Sequence, residues 1–101
     1  MNRDSEHKSR FLRAVAFEIH RKRTPDEAIV ACVEAEGRGG RHRILKPALA
    51  VVEERGFIPA LQAVEMIGDE AASVLSCIVE SGDMRLLVAA LNSLAEYMDL
   101  G

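Results

Sequence analysis

The three histidines are the side chains best suited to hold a metal ion or to transfer protons near neutral pH. They lie at His7, His20 and His42, each among basic neighbours. A helical zinc motif needs two histidines four residues apart on one helix face, and no two histidines here have that spacing. The sequence therefore predicts surface histidines and no metal site.

The hydroxyl and carboxyl side chains do not form a catalytic pattern either. Ser73, Ser76 and Ser81 have no histidine near them in the sequence and no Gly-x-Ser-x-Gly turn around them. Glu53-Glu54 and Asp69-Glu70 are adjacent acids, and adjacent residues do not share a helix face. We therefore predict no catalytic residue, no cofactor and no enzyme activity.

A glycine-rich segment with basic neighbours is the remaining candidate for ligand binding. Residues 37–42 contain three glycines, but no strand pattern precedes them and no Gly-Lys-Ser/Thr follows, so a phosphate-binding loop is not indicated. Arg38, Arg41, Arg43 and Lys46 have the charge to contact phosphates. The pI of about 5.6 argues against nucleic acid as the main partner, because nucleic-acid-binding domains typically have a pI above about 9.

The composition favours a single helical domain. The chain has 101 residues, of which 49% are apolar and only 4% aromatic, so its core must be aliphatic. Cys32 and Cys77 stand among alanines and valines, and we expect both to be buried and reduced. The N-terminus has no apolar signal segment, and no uncharged run approaches the roughly 20 residues of a membrane span. We therefore expect a soluble chain.

Charge is distributed unevenly along the chain. The formal net charge is −3, but Met1 to Arg23 has seven basic and three acidic residues, and Pro47 to Gly101 has two basic and nine acidic residues. The two halves therefore have opposite sign, which can steer a partner or a second copy of the chain. The alternative is that solvated helix faces simply differ in sign.

Hydrophobic spacing and capping signals predict six helices. The strongest local signal is Thr24-Pro25-Asp26-Glu27, in which threonine caps the helix, proline takes its first position and Glu27 completes a capping box. Pro47 must lie in the first turn of its helix or kink it. The predicted helices run from about Ser5 to Lys22, Pro25 to Glu36, Arg43 to Arg55, Pro59 to Ile67, Asp69 to Glu80 and Met84 to Met98.

The last two predicted helices organise this fold. Gly82 is suited to end the first of them in the left-handed conformation, and Asp83 to cap the second. The first is apolar on nearly every side, which predicts a helix without a solvent-exposed face. We therefore predict an all-α six-helix bundle of antiparallel helix hairpins, whose last hairpin supplies the central helix.

Phe17 does not fit the core pattern of the first predicted helix. Phe11, Leu12, Val15 and Ile19 share one face, and Phe17 lies on nearly the opposite side. Such a ring is either covered by another segment of the same chain or part of an association surface.

Several short motifs resemble those of the cytoplasmic domain of the type II secretion system F family, the inner-membrane platform proteins of secretion machines and type IV pili. The family opens with a Phe-x-Arg-x-Leu-Ala pattern, a turn containing glycine, and a helix bearing Ala-Leu. Matching positions are Phe11, Arg13, Val15, Ala16, Ala28 and Ile29, with Lys22 in place of the turn glycine, and further similarity lies at residues 51–56 and 80–84 and at Val88 and Leu91. The turn after Gly56 is one residue shorter than in the family. The terminal Leu-Ala-Glu-Tyr motif, here Leu94 to Tyr97, lies one helical turn later in the sequence than in the family.

The resemblance covers residues 11–98 and implies a function. It implies a non-enzymatic cytoplasmic scaffold that docks to other apparatus components, such as the assembly ATPase, and reaches the inner membrane through partners. Family members have two such domains and membrane helices, so this chain is either an excised domain or a stand-alone relative. The alternative is a helical adaptor or regulator that contacts nucleic acid through the basic residues of the 38–46 segment.

Self-association is the last expectation, because the resemblance also implies a dimer. Phe17, flanked by Arg13 and Arg21, would meet the same patch of the partner copy or the acidic segment that contains Glu65 and Glu70. These five residues are the predicted protein interface. Screened surface charge alone is weak, so the apolar contact has to supply most of the affinity.

Overall fold

The computed structural model describes residues 3–36 and 42–100, with side chains over 6–36 and 43–100. The described residues form helices and no strand, so the expected all-α class is confirmed. The arrangement as antiparallel hairpins stays a prediction. The helices are α1 (Arg3–His20), α2 (Pro25–Ala35), the one-turn α3 (His42–Leu45), α4 (Pro47–Arg55), α5 (Phe57–Ala63), α6 (Asp69–Ser81) and α7 (Met84–Leu100).

The most extensive packing joins α1 to α7, the first and last helices. Leu12 and Val15 of α1 and Leu87 and Leu91 of α7 are completely buried. An ion pair joins Arg13, near the middle of α1, to Asp99 at the C-terminal end of α7. Ile19, at the C-terminal end of α1, lies near Met84 at the start of α7, as expected when the two helices run in opposite directions. The core is therefore built on this long-range pair rather than on the C-terminal hairpin alone.

The capping box at the start of α2 is confirmed. The backbone N–H of Glu27 donates to Thr24 Oγ1 at 3.1 Å, and the backbone N–H of Thr24 donates to Glu27 Oε1 at 3.0 Å. Pro25 occupies the first turn. Since the cap involves only neighbouring residues, its pattern is visible in the sequence without knowledge of the packing. One face of α2 then joins the core through Ile29 and Val33.

The expected single helix from Arg43 to Arg55 is wrong, because the chain divides at Lys46 into α3 and α4. Proline has no backbone N–H, and its ring clashes with the preceding turn, so Pro47 starts a new helix at its first position. The next helix begins at Phe57, two residues before the predicted start at Pro59. Pro59 fits there because the first-turn N–H groups of a helix have no partner within it.

The expectation that the helix starting at Asp69 has no exposed face is also wrong. Only Ala72 and Leu75 of α6 are buried, and Val74 is 59% exposed. Because α6 packs only against α5 and α7, apolar side chains on its far side remain in contact with solvent. The turn that follows is as predicted, since Gly82 is left-handed with φ 77° and Asp83 Oδ1 accepts from the backbone N–H of Leu86 at 3.0 Å.

Within the described part of the chain, no helix combines the length and apolar character needed to cross a bilayer.

Candidate functional site

Phe17 lies on the solvent-facing side of α1, opposite the buried stripe. Its side chain is 58% exposed, while Ala16 and Ile19 beside it are buried. Arg13, Phe17 and Arg21 are spaced four residues apart and therefore lie along one face of the helix. The first of the two alternatives was burial by another segment of the chain, and none of the described segments covers the ring.

Arg21 is the main neighbour of the Phe17 ring. Its guanidinium carbon lies 5.6 Å from the ring centroid, within the range of a cation–π contact. Glu18 Oε1 lies 3.7 Å from Arg21 Nη1 and 3.6 Å from Arg23 Nε, so one carboxylate attracts both arginines. These contacts orient Arg21 over the ring and leave the rest of the ring open to a partner.

Arg13 is engaged within the chain rather than free for a partner. Its Nη2 atom lies 2.6 Å from Asp99 Oδ2 on α7, and both side chains are more than a third exposed. An exposed ion pair of this kind contributes little to stability, because water screens both charges. Arg13 can therefore exchange Asp99 for a carboxylate of a partner at little energetic cost.

Glu65 and Glu70 lie on a different part of the surface from Phe17. Both are exposed, one in the connection after α5 and the other in the first turn of α6. In the described chain α1 packs against α2 and α7 and not against α5 or α6. The five predicted interface residues thus form two separate groups, Arg13, Phe17 and Arg21 in one and Glu65 and Glu70 in the other.

The basic segment proposed for nucleic acid is only partly described. Arg43 and Lys46 are exposed on and just after the one-turn α3. Arg38 and Arg41 lie outside the described residues. The adaptor hypothesis and its nucleic-acid contact therefore stay predictions.

The two cysteines have opposite environments. Cys32 is 5% exposed, and its burial, with the nearby Glu18 and Glu36 carboxylates, raises the pKa of its thiol to about 12. Cys77 is exposed, which contradicts the expectation that it is buried, because it lies on a side of α6 that no described helix covers. The described residues contain no cluster of three or more histidine, cysteine or acidic side chains arranged to hold a metal ion.

An acidic groove between α2 and α4 is a feature that the sequence prediction missed. Val30 and Ala31 of α2 and Leu49 and Val52 of α4 form its apolar floor. Its rim carries four carboxylates and one arginine: Asp26, Glu27, Glu34, Glu53 and Arg23. The spacing of Glu27, Val30, Ala31 and Glu34 would have indicated one helix face, but α4 supplies the other wall only in the folded chain.

Comparisons with known proteins do not assign the chain to a family: no family model, no curated protein and no solved structure matches it.

Proposed function

We propose that this chain is a non-enzymatic protein-interaction module that docks to components of a secretion or pilus apparatus, such as its assembly ATPase. The observation that carries the proposal is Phe17, an aromatic side chain 58% exposed on a helix whose opposite face is buried. Aromatic residues and arginine are the types most often found at the energetic centre of protein interfaces. Phe17 with Arg21 stacked over it is such a pair.

The turn after α1 supports the family resemblance on which this proposal depends. Lys22 has a φ of 78°, the left-handed conformation that glycine adopts most easily. The resemblance expects a glycine at this position. Residues matched to the family's opening motifs, among them Phe11, Ala16 and Ile29, are also buried as core positions should be. In this proposal the chain acts in the cytoplasm and reaches the inner membrane through its partners.

Self-association through Phe17 is part of the same proposal. Two copies that met Phe17 to Phe17 would bring Arg13 and Arg21 of each copy near those of the other, which is unfavourable. The acidic segment with Glu65 and Glu70 offers opposite charge, so we favour an arrangement in which each Phe17 meets that segment of the partner copy. Burial of the ring then supplies the affinity, and the charges set the orientation.

We expect the wild-type chain to form dimers as its concentration rises into the high micromolar range, and Phe17→Ala to remain monomeric. Loss of the ring removes the apolar contact while leaving the buried face of α1 unchanged. Multi-angle light scattering over a concentration series measures the oligomeric state of the wild type and of Phe17→Ala. The control is Ile44→Ala, which removes another large apolar side chain, 57% exposed on α3 and outside both groups of the predicted interface. A monomeric wild type, or a dimer that survives Phe17→Ala, would show that this interface is wrong.

Docking is tested with the purified assembly ATPase encoded in the same genome. We expect it to bind the immobilised chain, and Phe17→Ala to weaken binding by about tenfold or more, since truncation of a central aromatic residue typically removes at least about 2 kcal/mol. Biolayer interferometry measures the affinity, with Ile44→Ala again as the matched control. Failure of the ATPase to bind, or equal binding by both variants, would contradict the docking proposal.

A further inference from the structure

The shallow acidic groove between α2 and α4 offers a second binding surface, which adjoins the Phe17 face at the Arg23–Glu18 ion pair. Glu27, Val30, Ala31 and Glu34 follow one another at spacings of three or four along one face of α2, so carboxylates stand at both ends of an apolar strip. Leu49 and Glu53 repeat this combination on α4. The result is a shallow surface groove with an apolar floor and negatively charged sides.

The floor of the groove is incompletely covered. Val30, Ala31 and Leu49 are only half-buried, although Val52 beneath them is 6% exposed and belongs to the core. Covering this apolar surface is favourable in proportion to the area removed from water. A groove between two helices accepts a third helix whose apolar side chains recur every three to four residues.

The walls select the charge of the occupant. Four carboxylates face the groove and Arg23 is the one basic residue among the described residues that line it. Backbone and side-chain hydrogen bonds with Thr24 lower the pKa of Glu27, so this carboxylate remains ionised well below neutral pH. The groove therefore repels phosphates and nucleic acid and attracts lysine and arginine side chains.

A second copy of the chain is a poor source of such a helix. Among the described helices α1 has the most lysines and arginines, and its apolar face is already buried against the rest of the chain. To offer an apolar face to the groove of another copy, α1 would have to leave α7. The occupant should therefore come from a different protein.

We propose that the groove between α2 and α4 binds a basic amphipathic helix of a partner protein. Its apolar residues lie on Val30, Ala31 and Leu49, and its lysines or arginines face Glu34 and Glu53 on opposite walls. This proposal does not depend on the Phe17 interface, since the residues that would contact the helix, Val30, Ala31, Leu49, Glu34 and Glu53, lie on α2 and α4. Arg23 at the rim does pair with Glu18 of α1.

A designed peptide serves as the probe. It has about 15 residues, with leucines at spacings of three and four and lysines at the remaining positions, capped at both ends and carrying a fluorophore. We expect micromolar binding by fluorescence anisotropy, and amide shifts on ¹⁵N-labelled chain concentrated in α2 and α4. A peptide of the same composition with scrambled spacing should bind at least about tenfold more weakly, because it cannot form an apolar face.

Charge reversal separates the groove from general attraction to an acidic protein. The double variant Glu34→Lys/Glu53→Lys should raise the dissociation constant about tenfold or more. Glu80→Lys/Glu96→Lys changes the net charge by the same amount at exposed positions outside the groove. This control should change the dissociation constant less than about twofold. Phe17→Ala should bind the peptide as the wild type does, even if the Phe17 interface proves wrong.

Several outcomes would overturn the proposal. Equal weakening by both double variants would mean non-specific attraction, and amide shifts outside α2 and α4 would place the peptide elsewhere. Concentration-dependent shifts of α2 and α4 without peptide would identify a second copy as the occupant. Absence of binding at about millimolar peptide would exclude a useful affinity for this class of helix.

Discussion

Replacing Leu91 by alanine is expected to lower the free energy of unfolding by about 3 kcal/mol, within the usual range for a buried leucine. Leu91 is completely buried on α7, in the helix pair with the most extensive packing. Truncation removes apolar contacts and leaves a cavity that the surrounding helices fill only in part. For a domain of this size we expect the melting temperature to fall by roughly 10–20 °C, as measured by circular dichroism.

Leu86 provides the matched control on the same helix. It is 48% exposed, so Leu86→Ala should cost less than about 1 kcal/mol. Urea denaturation of both variants gives the two free energies directly. If Leu91→Ala and Leu86→Ala were equally destabilising, or Leu91→Ala had little effect, the α1–α7 packing described here would be wrong.

Gly56→Ala is expected to destabilise the chain by about 2 kcal/mol, for a reason that involves the backbone alone. Gly56 joins α4 to α5 with φ 95° and ψ −173°, a conformation that residues with a Cβ atom almost never adopt. A Cβ atom built there meets no other atom within 4 Å, so collision is not the cause. The same urea titration measures the loss.

Gly68→Ala tests that explanation. Gly68 precedes α6 with φ −90° and ψ −176°, which any residue adopts, and its Cβ position is equally empty. We expect the free energy of unfolding of Gly68→Ala to stay within about 0.5 kcal/mol of the wild type. Alanine is a weaker N-cap than glycine for α6, but it also lowers the entropy of the unfolded chain, and the two effects offset each other. Similar losses at Gly56 and Gly68 would rule out backbone strain as the cause.

Features set by neighbouring residues were predictable from the sequence. The capping box at Thr24, the left-handed Gly82 and the cap at Asp83 each depend on a few consecutive residues. The periodicity of α1 likewise identified its core stripe and the exclusion of Phe17 from it. In these cases the local pattern contains all the information that determines the structure.

Features that depend on which helices pack together in the folded chain were not predictable in the same way. The high proportion of apolar residues in α6 suggested burial on all sides. Burial depends on how many other helices pack against α6, and among the described helices only α5 and α7 do. Cys77 is exposed for that reason. The groove needs α2 and α4 side by side, and a single-helix pattern cannot indicate which second helix supplies the other wall.

Pairing of α1 with α7 ties the folding of the chain to the completion of its synthesis. Everything from Arg21 to Asp83 is translated between the two helices, so α1 emerges from the ribosome long before its main packing surface exists. Closing so long a loop carries an entropic cost that a hairpin between neighbouring helices avoids, and contacts between distant segments slow folding. The apolar face of α1 therefore remains unprotected in the nascent chain until α7 has been made, and in that interval it is the segment most in need of a chaperone.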